Sequence, residues 1–277
     1  GAVGTLWMLS AAAAFFCLTG TLGAAARVRW LAVALFASLP LLAVLVGGMQ
    51  TELAASALAL TLALAIALPT CHRLMLACAV LAAALVALKL GHAVTALVLL
   101  VWTLMRVRSA AEWSRLPLAL LLFFGVAGSS YFYAWKVSGN ALLPLFNEIF
   151  QSPLLPPTQL QDPRWHAGFG IDLPWSITFT TDRYLEAWAG GFGFVLVACA
   201  GAWLLALTDV RTRGLALVAS AALLLPLLPM QYARYAFPGL VLLLPALLVA
   251  MTSALGARWC TRIVIGLCAL NLAFQAN

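Results

Sequence analysis

The sequence predicts an all-α, polytopic membrane protein, and three observations predict it. Of its 277 residues 65% are hydrophobic and 8% charged, whereas a soluble domain carries roughly a quarter charged residues. The apolar runs are long and lack period-two alternation, so helices are expected rather than a barrel, each satisfying its own backbone in lipid. The polar residues collect in short connectors and in one long segment, Lys136 to Glu186.

Ten apolar segments follow in order: 3–22, 31–48, 53–68, 74–88, 93–105, 116–135, 187–207, 215–229, 239–254 and 263–276. Several are shorter than the ~20 residues of a perpendicular crossing. The stretch from Leu74 to Met105 would be about 48 Å long as one helix, too long for a ~30 Å hydrocarbon core. Lys89-Leu90-Gly91-His92 in its middle offers a turn, so two short helices in a hairpin are expected. Ala189-Gly190-Gly191-Phe192-Gly193 opens the next segment after the long loop. No strand precedes it, so it reads as close helix packing through small residues rather than a phosphate loop. The whole chain is one transmembrane domain. It starts at Gly1 rather than Met and ends at Asn277 without a polar tail, as expected of a piece of a longer protein.

The net charge of +7 does not indicate nucleic acid, because the basic residues form no patch and sit in short connectors. One set comprises Arg27, Arg29, Arg73, Arg106, Arg108, Arg115, Arg211, Arg213, Arg258 and Arg262; the other comprises Lys89, Lys136, Arg164, Arg183 and Arg234. The larger set, in short connectors, marks the cytoplasmic side. The long loop is therefore expected outside, with Glu52, Glu148, Asp162, Asp172, Asp182, Glu186 and all five tyrosines. Aromatic belts normally serve both interfaces, so this asymmetry makes the outer face the working face. The six cysteines lie in or beside helices, and neither a disulfide framework nor a CxxC metal site is suggested.

Within the loop, Leu143–Ser152 carries Leu145, Phe146, Ile149 and Phe150 against Asn147 and Glu148. That spacing fits a short amphipathic helix lying at the interface, stopped by Pro153, Pro156 and Pro157; a plain surface connector is the simpler alternative. Asp162-Pro163-Arg164-Trp165-His166 and Asp172-Leu173-Pro174-Trp175 set ionisable groups beside indoles. Such pairs suit a sugar, whose hydroxyls meet polar groups and whose C–H faces meet rings, and they equally suit a solvated loop with interfacial anchors. Lys89, Arg164 and Arg234 stand at or near outer helix ends, opposite the positive-inside bias, as a phosphate site would require. Snorkelling explains any one of them alone. Glu52 opens segment 53–68, where the helix dipole favours a carboxylate.

These residues resemble a known pattern. Ser138-Gly139-Asn140, the Pro144–Pro153 stretch with Asn147 and Glu148, Ala87-Leu88-Lys89 before a second short helix, Arg234-Tyr235 before Phe237-Pro238, and Thr51-Glu52-Leu53 are together similar to the membrane-embedded GT-C glycosyltransferases. That class includes protein O-mannosyltransferases and the aminoarabinose transferase of lipid A. The order of loops agrees if the first segment is the family's second helix; the family's first helix and first external loop, bearing its principal catalytic Asp, then have no counterpart in this sequence. The resemblance implies transfer of a sugar from a polyprenyl-phosphate donor to a glycan, lipid or protein acceptor, at the outer face of a bacterial plasma membrane. It implies Glu52 as the second acidic residue, and Lys89, Arg234 and Tyr235 on the donor phosphate. Asn140, Asn147, Glu148, Asp162, Arg164, Trp165, His166, Asp172 and Trp175 are implied at the sugar or acceptor. A divalent cation is admitted but no ligand set is defined, and a fragment without the principal Asp is expected to be inactive alone. An O-antigen polymerase or ligase would also suit an outer loop with Arg164 and His166. A transporter or flippase would need mid-membrane charges or repeated broken helices, which the segments do not offer.

Overall fold

The computed structural model describes residues 1–68, 73–158, 168, 170–180, 183–184 and 191–275. It is all-helical, with no strand among the described residues. Helices α1 (Ala2–Thr21), α2 (Ala26–Ala37), α3 (Pro40–Gly47) and α4 (Glu52–Ala67) are followed by the hairpin α5 (Leu74–Leu88) and α6 (Ala93–Arg106). A single turn, α7 (Ala110–Trp113), leads into α8 (Leu116–Ser138). The long loop contains α9 (Asn147–Phe150) and α10 (Leu173–Phe179). After it come α11 (Val195–Ala198), α12 (Ala200–Thr208), α13 (Arg213–Leu224) and α14 (Ala233–Gln275).

Three helices, α1, α8 and α14, are long and apolar enough to cross a bilayer, and the bent pair α2–α3 makes a fourth. The expected ten apolar segments all fall on or across helices, but α4, α5, α6 and α13 are shorter than a full crossing. Segment 31–48 is two helices rather than one, bent by 68°. Pro40 at the first turn of α3 cannot donate a bond backward, which ends α2 at Ser38–Leu39. Segment 239–254 and segment 263–276, the latter as far as Gln275, are two helical arms of α14, parted by non-helical Gly256 (φ 78°, ψ 160°), where the chain reverses. Cys260 Sγ lies 3.9 Å from the Leu248 carbonyl oxygen, whereas twelve residues of straight helix would span about 18 Å.

The core is built from α1, α2, α4, α13 and the first half of α14, where 236–251 is buried throughout. At one end of it Asn271, fully buried, donates to Ser38 Oγ (3.1 Å) and accepts from the Phe194 amide (3.0 Å). This ties the α2–α3 break to the start of α11 and the end of α14, and satisfies the buried Ser38 and Asn271 side chains there. A Cβ on Gly193 would lie 2.2 Å from Asn271 Oδ1, at φ +60°, which is why the glycine run ends there in glycine. Close packing is thus what the described part of that run provides.

At the turn of the α5–α6 hairpin, Lys89 is extended (φ −171°, ψ 140°) and breaks the helix. The last α5 carbonyls would otherwise be orphaned. Ser130 Oγ donates to the Ala87 carbonyl (2.9 Å) and Tyr131 Oη to that of Val86 (2.8 Å), so α8 caps α5 and holds the turn in place.

Candidate functional site

Glu52 stands in the first turn of α4 and is 1% exposed. Lys89 from the hairpin turn brings Nζ to 3.7 Å from Glu52 Oε1, and Arg234 from the first turn of α14 brings Nε to 3.7 Å from the same oxygen. Three residues far apart in sequence thus converge on one carboxylate. At an effective dielectric of about 20, each contact near 4 Å contributes roughly 4 kcal/mol, much of it offset by desolvating the carboxylate. Both separations exceed hydrogen-bond length, and neither carboxylate oxygen has a hydrogen-bond partner among the described residues.

Two tyrosines shape the cationic side. Lys89 Nζ lies 4.3 Å from the Tyr235 ring centroid, and the Arg234 guanidinium carbon lies 5.1 Å from Tyr232 and 5.6 Å from Tyr235. The two rings meet edge to face at 5.2 Å. Cation–π contacts of this kind hold the cations in place without neutralising them. One carboxylate and two cations thus meet beside aromatic surface. The Ala233 amide donates to the Tyr184 carbonyl, which fastens the end of the long loop to the start of α14.

His92 closes the other side. It is fully buried, and its Nε2 lies 3.0 Å from Thr51 Oγ1, next to Glu52. Burial, with Lys89 adding to it, pushes the imidazole down to about 4, so the ring in this turn is neutral at pH 7. His92, Thr51, Thr95, Gln231 and Tyr232 were not among the expected site residues. Their signal is faint but present: Thr95 follows His92 by three positions, on one helical face, and Gln231 precedes Arg234 by three.

The remaining expected residues stand elsewhere. Asn140 and Asn147, expected toward a sugar, are fully buried with their amides committed to the loop itself. Asn147 Nδ2 donates to the carbonyls of Ser152 (3.2 Å), Leu155 (2.9 Å) and Pro156 (3.0 Å), while its Oδ1 accepts from the Ser152 amide (2.9 Å). Asn140 Nδ2 donates to the Leu145 carbonyl (2.9 Å), and its Oδ1 accepts from the Leu142 amide (2.8 Å). These bonds also explain why 143–152 is not an amphipathic helix. Side-chain amides capture backbone groups a helix would use, leaving one turn, Asn147–Phe150, between left-handed Phe146 and Gln151. Asn147→Ala should therefore loosen the loop by about 2–4 kcal/mol, the loss of four modest bonds. Limited proteolysis should cut 140–158 faster, with the melting of the bundle unchanged; wild-type cutting would contradict the assignment.

Glu148 is exposed on that turn. Asp172, just before α10, accepts from Ser176 Oγ (2.7 Å), and Trp175, 58% exposed, meets Phe179 in a tilted ring contact at 4.3 Å. From Phe179 the ring contacts run to Phe194 and Phe274. Asp162, Arg164, Trp165 and His166 lie outside the described residues. A cleft of about 260 Å³ lies between the end of α12, Asp209 and the Ala250–Ala254 stretch of α14, away from these residues in sequence. There Asp209 pairs with Arg211, whose hydrogen bonds hold the exposed carboxyl below its usual range. Among the described residues, no three His, Cys, Asp or Glu side chains gather as a metal ion would need.

Fold and site together define an all-α protein with three membrane-length apolar helices and one buried carboxylate held between two cations. No family model, curated protein sequence or solved structure matches the chain.

Proposed function

We propose that the chain is the membrane body of a GT-C-like glycosyltransferase, with about ten membrane-inserted helices and its site open to the extracytoplasmic side. It would transfer a sugar from a polyprenyl-phosphate donor to a hydroxyl-bearing acceptor. The observation that carries the reading is the meeting of Glu52, Lys89 and Arg234 beside Tyr232 and Tyr235. A polyprenyl phosphoryl sugar has an anion at the junction of a greasy chain and a polar ring. Two cations at helix ends, walled by aromatic surface, suit that junction.

In the reaction, the acceptor oxygen would bond to the sugar C1 as the C1–phosphate oxygen bond breaks, the acceptor's proton passing to a carboxylate base while the departing prenyl phosphate gains negative charge. Lys89 and the guanidinium of Arg234 would stabilise that charge as it grows. The Glu52 oxygens, free of hydrogen bonds within the described residues, would accept from the acceptor hydroxyl and orient it. The tyrosines would fix both cations. The test is a membrane assay on the full-length protein with labelled polyprenyl-phosphate sugars. Label should pass to an acceptor, and Arg234→Ala should raise the donor KM by on the order of tenfold or more, one charge-assisted hydrogen bond. Transport of the intact lipid without bond cleavage would favour a flippase instead.

A further inference from the structure

A second charged surface stands at the Gly256 end of α14, remote from Glu52. The arm from Ala233 to that turn is helical and rises about 34 Å, roughly one hydrocarbon core, so Arg234 and Gly256 lie at opposite ends of it. At the Gly256 end Arg211, from the α12–α13 connector, donates to Ser253 Oγ (2.7 Å) and to Asp209 Oδ2 (2.9 Å). Thr252 Oγ1 meets Cys260 Sγ at 3.2 Å, so the chain between them, Arg258 included, is a tight reversal beside Ser253. Arg213 opens α13 two residues after Arg211. Arg262 covers Trp259, its guanidinium carbon 5.0 Å from the ring centroid.

Four arginines and one carboxylate thus gather at this end, and the carboxylate, Asp209, is paired with Arg211. Among the described residues no carboxylate pairs with Arg213, Arg258 or Arg262, and all three are exposed. Exposed apolar side chains stand among them: Val210 (73%), Leu255 (49%) and Trp259 (58%). The cleft of about 260 Å³ is lined by both Asp209 and Ser253, the two residues that Arg211 joins, so Arg211 stands at its rim.

We propose that this surface binds the headgroup of an anionic phospholipid from the leaflet at that end. Its phosphate would meet Arg213, Arg258 and Arg262, and its polar head would lie over the cleft beside Arg211. A phospholipid carries its anion at the edge of its acyl chains, and arginines interleaved with exposed apolar groups match that edge. A soluble anion would leave Val210, Leu255 and Trp259 uncovered. The planar guanidinium forks suit paired phosphate oxygens, and a basic pocket between helix ends is a recurring headgroup site. Such a site is independent of any chemistry at Glu52.

Lipid titrations of the full-length protein in detergent, read by native mass spectrometry, supply the test. The probes are phosphatidylglycerol, phosphatidylcholine and inorganic phosphate. Phosphatidylglycerol should bind about tenfold or more tightly than phosphatidylcholine, two or more surface cations' worth, and added inorganic phosphate should not displace it. Each cation near the surface contributes about fivefold, so Arg258→Gln with Arg262→Gln should weaken phosphatidylglycerol by about 25-fold. Arg106→Gln with Arg108→Gln, exposed arginines of another connector, should leave it unchanged. Connector arginines also guide insertion. If the double variant is not obtained, Arg213→Gln decides, with an expected loss of about fivefold. Equal affinity for the two lipids, equal losses in the two double variants, wild-type binding by Arg213→Gln, or displacement by inorganic phosphate would overturn the site.

Discussion

Glu52→Gln in the full-length protein is expected to reduce glycosyl transfer by on the order of 100-fold or more, the usual scale for a positioned carboxylate, while the bundle stays folded. Gln keeps the volume and one acceptor oxygen, so the fully buried site at the start of α4 remains filled. What disappears is the charge that holds Lys89 and Arg234 at 3.7 Å on either side. Removing one member of a buried ion cluster is normally costly because the survivors are stranded. Here the cost is moderated. Lys89 is 36% exposed and can turn to water, and Arg234 retains the faces of Tyr232 and Tyr235. The expected result is therefore a split between a large loss of turnover and a small shift in melting temperature. Because the two cations should still bind phosphate, the donor KM should move far less than kcat. A variant with wild-type turnover would sink the assignment of Glu52, and one that fails to fold would show the cluster to be structural.

The three charges of this cluster could be read from sequence because an apolar chain has so few places to put a charge. Glu52, Lys89 and Arg234 each stand alone at a helix end, where water or a partner must be close. What the sequence could not say was that the three helix ends meet. That depends on α8 capping α5 through Ser130 and Tyr131, and on Tyr184 fastening the loop to α14. The hairpin at Lys89–His92 and the chain reversal near Gly256 were legible, because a polar interruption between apolar runs has one inexpensive place to go. The bend between α2 and α3 was hidden, since Ser38-Leu39-Pro40 is only a small disturbance in an otherwise apolar run. In the loop the periodicity of Leu145, Phe146, Ile149 and Phe150 misled. It describes side chains on a helix, while the backbone there is decided by Asn140 and Asn147 bonding to carbonyls up to nine positions away. Neutral residues such as Thr95 and Gln231 gave only a faint signal, their helical spacing from His92 and Arg234, because a lone hydroxyl or amide in an apolar helix usually bonds its own backbone.

The largest effect on folding is expected at Gly239. A Cβ there would lie 2.2 Å from the Leu223 amide nitrogen and 2.4 Å from the Ala222 carbonyl carbon. Both are backbone atoms of α13, so no rotamer change can make room; the two helices must part. Overpacking a core typically costs 1–3 kcal/mol, and rigid backbone on the far side places Gly239→Ala at about the upper end of that range. Gly239→Val should be worse, adding a branched side chain to the same contact. The damage should also reach the site. Arg234 precedes Gly239 on the same helix by five residues, about 7.5 Å along the axis, so a displaced α14 carries its guanidinium away from Glu52. Gly128→Ala on α8 supplies the control, because nothing lies within 4 Å of a Cβ there. It should be neutral or gain up to about 1 kcal/mol from helix propensity. In detergent melts Gly239→Ala should fall well below wild type, with donor binding weakened in proportion, while Gly128→Ala should match or exceed it. Equal melting of the two variants would mean that α13 and α14 do not make the close backbone contact on which the position of Arg234 depends.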